Sequence, residues 1–191
     1  MNAKFLDDLA PGDKFATAGI TLTESEIIAF ALTYDPQPFH LNAVVAAESI
    51  YGGLIASGFQ VISLTFRLFI QQGLLVESSM GSPGIDELRW FAPVRPGDTL
   101  QAEVEVLAVT PSKSKADRGI ARLKYSTFNQ RRELVSSFIV NHLLLRRAAS
   151  EQALVADGAG GVRVVSIARG SPRISAVPMP ARAPSTRPAP A

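Results

Sequence analysis

The spacing of apolar positions divides the chain into segments of different period. Lys14 to Leu22 reads as a first strand. Thr23-Glu-Ser-Glu26 then has capping-box spacing, with Thr23 as N-cap and Glu26 three residues on. Ile27, Phe30, Ala31 and Tyr34 follow at i, i+3, i+4 and i+7, so the helix they define has one buried face. Asp35-Pro36 ends it, because a residue before proline is pushed out of the helical region. A short helix, about Ala43 to Ser49, precedes a glycine turn at Gly52-Gly53. The next helix, roughly Ser57 to Gln72, is apolar on nearly every side, from Phe59 and Val61 to Phe69 and Ile70. Such a helix is expected to be enclosed rather than laid on a surface.

Four strand-like runs come after it: Ile85 to Phe91, Thr99 to Val109, Gly119 to Asn129 and Glu133 to Leu145. Arg95-Pro-Gly-Asp98 and Asn129-Gln-Arg-Arg132 are turn sequences between them. The order predicts an α+β fold, one buried helix wrapped by an antiparallel sheet. Patterned sequence stops near Arg147, which gives a single domain over residues 1–147. Beyond it come Asp157-Gly-Ala-Gly-Gly161 and prolines at Pro172, Pro178, Pro180, Pro184, Pro188 and Pro190. So many chain breakers with so few large apolar residues predict a disordered tail over residues 148–191. Val162 to Ile167, a weak strand, is its one segment able to dock.

Charge sharpens this division. The pI of about 9.1 suggests a basic protein, yet residues 1–147 hold 14 Lys and Arg against 15 Asp and Glu. The tail holds five Arg against Glu151 and Asp157, so the basic character belongs there. A general nucleic-acid surface on the folded part is not supported on that ground. The chain has no cysteine, and hence no disulfide, cysteine-ligated zinc or thiol nucleophile. Met1 to Leu9 carries Asp7 and Asp8 and lacks a basic start followed by an apolar run, which argues against a secretory signal. Arg67 interrupts the long apolar helix before it could span a bilayer. The expectation is a cytoplasmic protein with no membrane partner.

With only two histidines, the search for chemistry is narrow. His40 closes Asp35-Pro-Gln-Pro-Phe-His40, in which two prolines predict a rigid, non-helical course just past a helix end. A carboxylate beside an imidazole can hold one water and share its proton, which is general acid–base chemistry. An Asp35 that caps backbone amides beside a structural His40 fits the same residues. Gly53-Leu-Ile-Ala-Ser-Gly58 leads into the apolar helix, whose first amides have no partners within it. Such N–H groups can receive a carbonyl oxygen as it gains charge, with Gly53, Ser57 and Phe59 as candidate substrate contacts. A plain turn with a close helix–sheet contact explains the glycines equally well. His142, among Val140, Leu143 and Leu144 of the last strand, reads as structural. Lys113 to Arg118 reads as a polar connection that could meet phosphates. Phe66, Phe69 and Trp90 suit either an acyl pocket or the core.

Taken together, Asp35-Pro-Gln-Pro-Phe-His40, Gly53-Leu-Ile-Ala-Ser-Gly58, Arg89-Trp-Phe-Ala-Pro-Val-Arg-Pro-Gly-Asp98 and Asn129-Gln-Arg-Arg-Glu133 resemble the MaoC-like dehydratases and (R)-specific enoyl-CoA hydratases. The resemblance runs from about Phe5 to Arg147 and implies the hotdog fold. It further implies that Asp35 and His40 activate water and that the Gly58 N–H binds the thioester carbonyl. The implied reaction is reversible hydration of a 2-enoyl-CoA to a (3R)-hydroxyacyl-CoA. CoA serves as carrier, and neither a metal nor a redox cofactor is implied. Asn42 stands where many relatives carry aspartate, and Arg132 where they often carry glycine. A hotdog acyl-CoA thioesterase and a non-catalytic acyl-thioester-binding partner are the rival readings. The sheet edges such a fold exposes predict a homodimer.

Overall fold

The computed structural model describes residues 3–147, 151–156 and 162–167. It divides into two units, Met1–Arg147 and Ala148–Ala191. In the first, a short 3-10 turn at Leu6–Asp8 precedes β1 (Lys14–Ala16) and β2 (Ile20–Thr21). Helices α1 (Glu24–Tyr34), α2 (Pro38–Leu41), α3 (Ala43–Glu48) and α4 (Gly58–Ile70) follow. The strands β3 (Ile85–Trp90), β4 (Thr99–Pro111), β5 (Arg118–Phe128) and β6 (Leu134–Leu145) complete it. They form an antiparallel sheet in the order β1-β4-β5-β6-β3, with β2 also on β4. The four long strands thus lie where period and turns put them.

The first helix starts as its sequence dictates. Thr23 Oγ1 accepts from Glu26 N at 3.3 Å and Glu26 Oε2 accepts from Thr23 N at 2.8 Å, closing the capping box. Its buried face is narrower than expected: Ile27 and Ala31 are enclosed, whereas Tyr34 is 71% exposed. Two boundaries differ more. The single strand expected over Lys14 to Leu22 breaks into β1 and β2. Buried Thr17 turns its hydroxyl onto the sheet there and accepts from Ala102 N at 3.0 Å. The segment holding His40 is a one-turn helix and not an extended run. Pro38 occupies its first turn, where a missing N–H costs nothing and φ is already suitable.

Helix α4 packs against β4 and β5 of the sheet. Val61, Thr65, Leu68 and Phe69 are buried, with Phe69 packed among Val104, Leu123, Tyr125 and Phe138. Thr65 bonds Thr127 at 2.8 Å, and Ser136 donates to Thr127 at 2.7 Å, so the polar groups under the helix satisfy one another. Full enclosure is not found within one chain. Phe59, Phe66 and Ile70 share one side of α4 and are 58%, 38% and 38% exposed. The neighbouring β3 pairs only with β6 among the described strands, and of its residues only Leu88 is not exposed. Glu87, at φ 52°, lies in the register shift between Asp86 and Arg89.

Arg132 occupies a left-handed turn position with φ 61°, the conformation glycine adopts most cheaply. Its guanidinium lies over Phe128 at 4.6 Å and bonds Glu103 at 2.6 Å, contacts a glycine could not make. Asn42 caps α3, its Oδ1 accepting from Val44 N and Val45 N at 3.0 and 3.2 Å. In the second unit, β7 (Glu151–Ala156) and β8 (Val162–Ile167) pair antiparallel, from Glu151 against Ile167 to Ala156 against Val162. The weak strand read at Val162 to Ile167 is β8; its partner β7 was expected to be unstructured. The remainder of the expected disordered tail lies outside the described residues.

Candidate active site

Two elements converge on one cleft: the α1–α2 corner and the segment that opens α4. Asp35 is the C-cap of α1, its N–H donating to Ala31 O at 3.0 Å, and Pro36 prevents a further turn. The short α2 then brings His40 back beside it. The two side chains meet with His40 Nε2 at 3.3 Å from Asp35 Oδ2; the imidazole is 4% exposed and the carboxylate 14%. His40 Nδ1 lies 2.8 Å from the carbonyl oxygen of Ile55. A carbonyl only accepts, so Nδ1 carries the proton and Nε2 is the basic atom. Phe39 packs edge-on against the ring at 4.5 Å and limits its rotation.

Asp35 is held equally firmly. Ser57 Oγ donates to Oδ2 at 2.6 Å and Gln37 Nε2 donates to Oδ1 at 2.8 Å. The Ser57 hydroxyl foremost, with help from Gln37, keeps the carboxyl below its usual range despite an opposing effect of burial. The pair therefore presents a carboxylate oxygen and a basic imidazole nitrogen side by side. Two such acceptors can each take one hydrogen of the same water.

Ser57, expected as a substrate contact, is fully buried. It is the N-cap of α4, accepting from Phe59 N at 3.2 Å while donating to Asp35. One hydroxyl thus ties the helix start to the carboxylate. A serine immediately before a helix is the signal that identifies this role.

The cleft in front of the pair has a volume of about 490 Å³. Asp35, His40 and Gly58 all line it, together with Phe59, Trp90, Phe91 and Val94. Gly58 is the first residue of α4, so its N–H has no acceptor within the helix. Phe59, the expected substrate contact, stands on the wall beside Trp90, with ring centroids 6.3 Å apart.

Gly53 is not brought to the cleft lining. It has φ 154°, and a side chain there would lie 3.2 Å from Arg95 Nη1, whose guanidinium bonds the Tyr51 carbonyl. It forms a turn that leaves room for Arg95. Phe69 belongs to the core, and Phe66 lines a separate groove with Ile62, Ile85 and Val140. Of the three aromatic residues read as pocket or core, Trp90 alone reaches this cleft. Lys113 to Arg118 spans the β4–β5 connection, where Arg118 pairs with Asp117 at 2.8 Å.

His142 is buried on β6 with Tyr125 Oη at 2.8 Å from Nε2 and Phe66 stacked at 6.0 Å. Among the described residues no cluster of three or more His, Asp or Glu could hold a metal ion. No described helix is long and apolar enough to cross a membrane. Gln37 and Tyr51, which also line the cleft, were missed by sequence reasoning; both are single polar residues without a spacing that marks them.

Residues 7–127 match the family model described as the MaoC like domain. A solved MaoC-like dehydratase from Rhodospirillum rubrum is 43% identical, with a TM-score of 0.72 over 77% of this chain and all of that one. The uncharacterised protein YdeM of Bacillus subtilis is 31% identical over 126 residues, 66% of this chain and 88% of that protein. The (R)-specific enoyl-CoA hydratase of Rhodospirillum rubrum is 31% identical over 115 residues, 57% of this chain and 74% of that protein. With the family match over most of the first unit and the helix-on-sheet architecture, the chain belongs to the MaoC-like dehydratase family and has its hotdog fold.

Proposed function

We propose that this protein catalyses the reversible hydration of a 2-enoyl-CoA thioester to a (3R)-hydroxyacyl-CoA. The carrying observation is the meeting of His40 Nε2 and Asp35 Oδ2 at 3.3 Å in the wall of the cleft. In the hydration direction His40 Nε2 accepts a proton from water as the hydroxyl adds to the β-carbon. Electron density moves through the α-carbon to the thioester oxygen, which accepts from the Gly58 N–H. The enolate then takes a proton at the α-carbon from the Asp35–His40 pair, which returns to its starting state.

One donor aimed at such an oxygen is worth about 3 kcal/mol, and a placed acid–base group about 100- to 10,000-fold in rate. The reaction needs no metal or redox cofactor, and CoA is the carrier of the substrate. The reading has the protein acting in the cytoplasm as a homodimer. Ile85 of exposed β3 and Phe66 of α4, which share a groove with Ile62 and Val140, supply an apolar surface for a second copy.

The test is loss of the enoyl-thioester absorbance band with crotonyl-CoA and longer enoyl chains. Wild type is expected to consume the band, and Asp35→Asn and His40→Ala to do so about a thousandfold more slowly. Equal rates in all three would make the pair structural. Release of free CoA from a saturated acyl-CoA would replace the reading with a thioesterase. Tight binding without turnover on any chain length would replace it with a binding protein.

A further inference from the structure

Gly58 is the site residue whose identity is least explained by its own backbone. It lies in the first turn of α4, in no left-handed conformation, and glycine is a poor helix residue. Its surroundings supply a reason. A Cβ built on Gly58 would fall 2.6, 2.7 and 2.9 Å from Cε2, Nε1 and Cζ2 of Trp90, closer than real Cβ contacts allow. The same indole donates from Nε1 to the Gly58 carbonyl oxygen at 3.1 Å. Trp90 thus covers residue 58 and holds the peptide that follows it. Phe59 supports the indole from the side with its ring at 73° to it. Trp90 is the last residue of β3, three positions beyond the left-handed Glu87.

We propose that Trp90 is a positioning residue for the Gly58 N–H, and that its indole is the reason residue 58 is glycine. The positioning half rests on the hydratase reading above; the steric half does not. The hydrogen bond and the ring contact hold the first turn of α4 against β3. The N–H of that turn then points into the cleft without waiting for substrate to order it. Preorganisation of this kind acts on the charged oxygen more than on the ground state, so its loss lowers kcat and leaves KM nearly unchanged.

The experiment is a double-mutant cycle of Gly58→Ala and Trp90→Ala, with Trp90→Phe alongside. Melting temperature, kcat and KM with an enoyl-CoA turned over by wild type are measured for each. In the wild-type background Gly58→Ala is expected to lower the melting temperature by about 5 °C and kcat about 100-fold. In the Trp90→Ala background the same change is expected to be neutral or stabilising, since alanine is the better helix residue. Trp90→Phe keeps a ring and loses the donor; kcat should fall about 2- to 10-fold with KM within twofold.

Additive effects of Gly58→Ala and Trp90→Ala on melting temperature would overturn the steric half. An unchanged kcat in Trp90→Phe would overturn the positioning half. If wild type turns over no enoyl thioester, the hydratase reading and the positioning role fail together. The coupling in melting temperature still decides the contact by itself.

Discussion

His142 gives a stability prediction whose size follows from its burial. The ring is 2% exposed, and burial lowers its pKa from the ordinary value near 6.5 to about 4. Tyr125 Oη lies 2.8 Å from Nε2, and an imidazole protonated on both nitrogens could no longer accept from it. Folded His142 therefore resists a proton that the unfolded chain accepts. Between those two pKa values the unfolded state binds more protons, so stability is full above about pH 6.5 and is lost as pH falls toward 4. A shift of this size is worth about 3 kcal/mol in total, of which about 2 kcal/mol is gone by pH 5.

The perturbation is His142→Gln, which keeps a polar partner for Tyr125 and removes the titration. Urea unfolding at fixed protein concentration, from pH 7.5 to 5, is the assay. The variant starts lower, because a buried site has been reshaped, but its curve should be flatter by about 2 kcal/mol over that range. Parallel curves for the two proteins would refute the reasoning. With two histidines in the chain, the imidazole proton resonances give an independent check: one should remain neutral down to about pH 4.

Ser57→Ala should cost about 1 kcal/mol for the lost helix cap and slow turnover at least tenfold. Because the Ser57 hydroxyl contributes most to holding the Asp35 carboxyl low, its removal raises that pKa, and the acid limb of the rate profile moves toward neutrality. A profile unmoved by the change would show that the limb belongs to another group. Light scattering at micromolar concentration should give a dimer, and Phe66→Glu on the exposed face of α4 should shift it toward monomer. A clean wild-type monomer ends that expectation. Truncation after Ala149 leaves the Asp7–Arg146 and Asp8–Arg147 pairs in place, so activity should stay within about twofold of the full chain.

What the sequence disclosed depended on how local the determining contacts are. The capping box of α1, the stop at Asp35-Pro36 and the long strands rest on neighbours a few residues apart, and they lie as read. Asp35 and His40 were legible because an acid and a scarce imidazole flank a proline-rich corner. The features the sequence did not disclose are set across long sequence distances. Thr17 breaks the first strand through Ala102, Gly53 leaves room for Arg95, and Ser57 joins Asp35 to the start of α4. The exposed side of α4 escaped as well. Apolar composition alone does not distinguish burial within one chain from a face left open beside β3.

Trp90 is the only tryptophan in the chain, and it stands half-exposed in the wall of the cleft. The protein consequently carries its own optical probe. A molecule entering the cleft removes water from the indole, so emission excited beyond the tyrosine band shifts to shorter wavelength on binding. Because the signal requires occupancy and not turnover, it can be titrated in Asp35→Asn as readily as in wild type. On the proposed reading, acyl chain preference is then measurable with saturated thioesters.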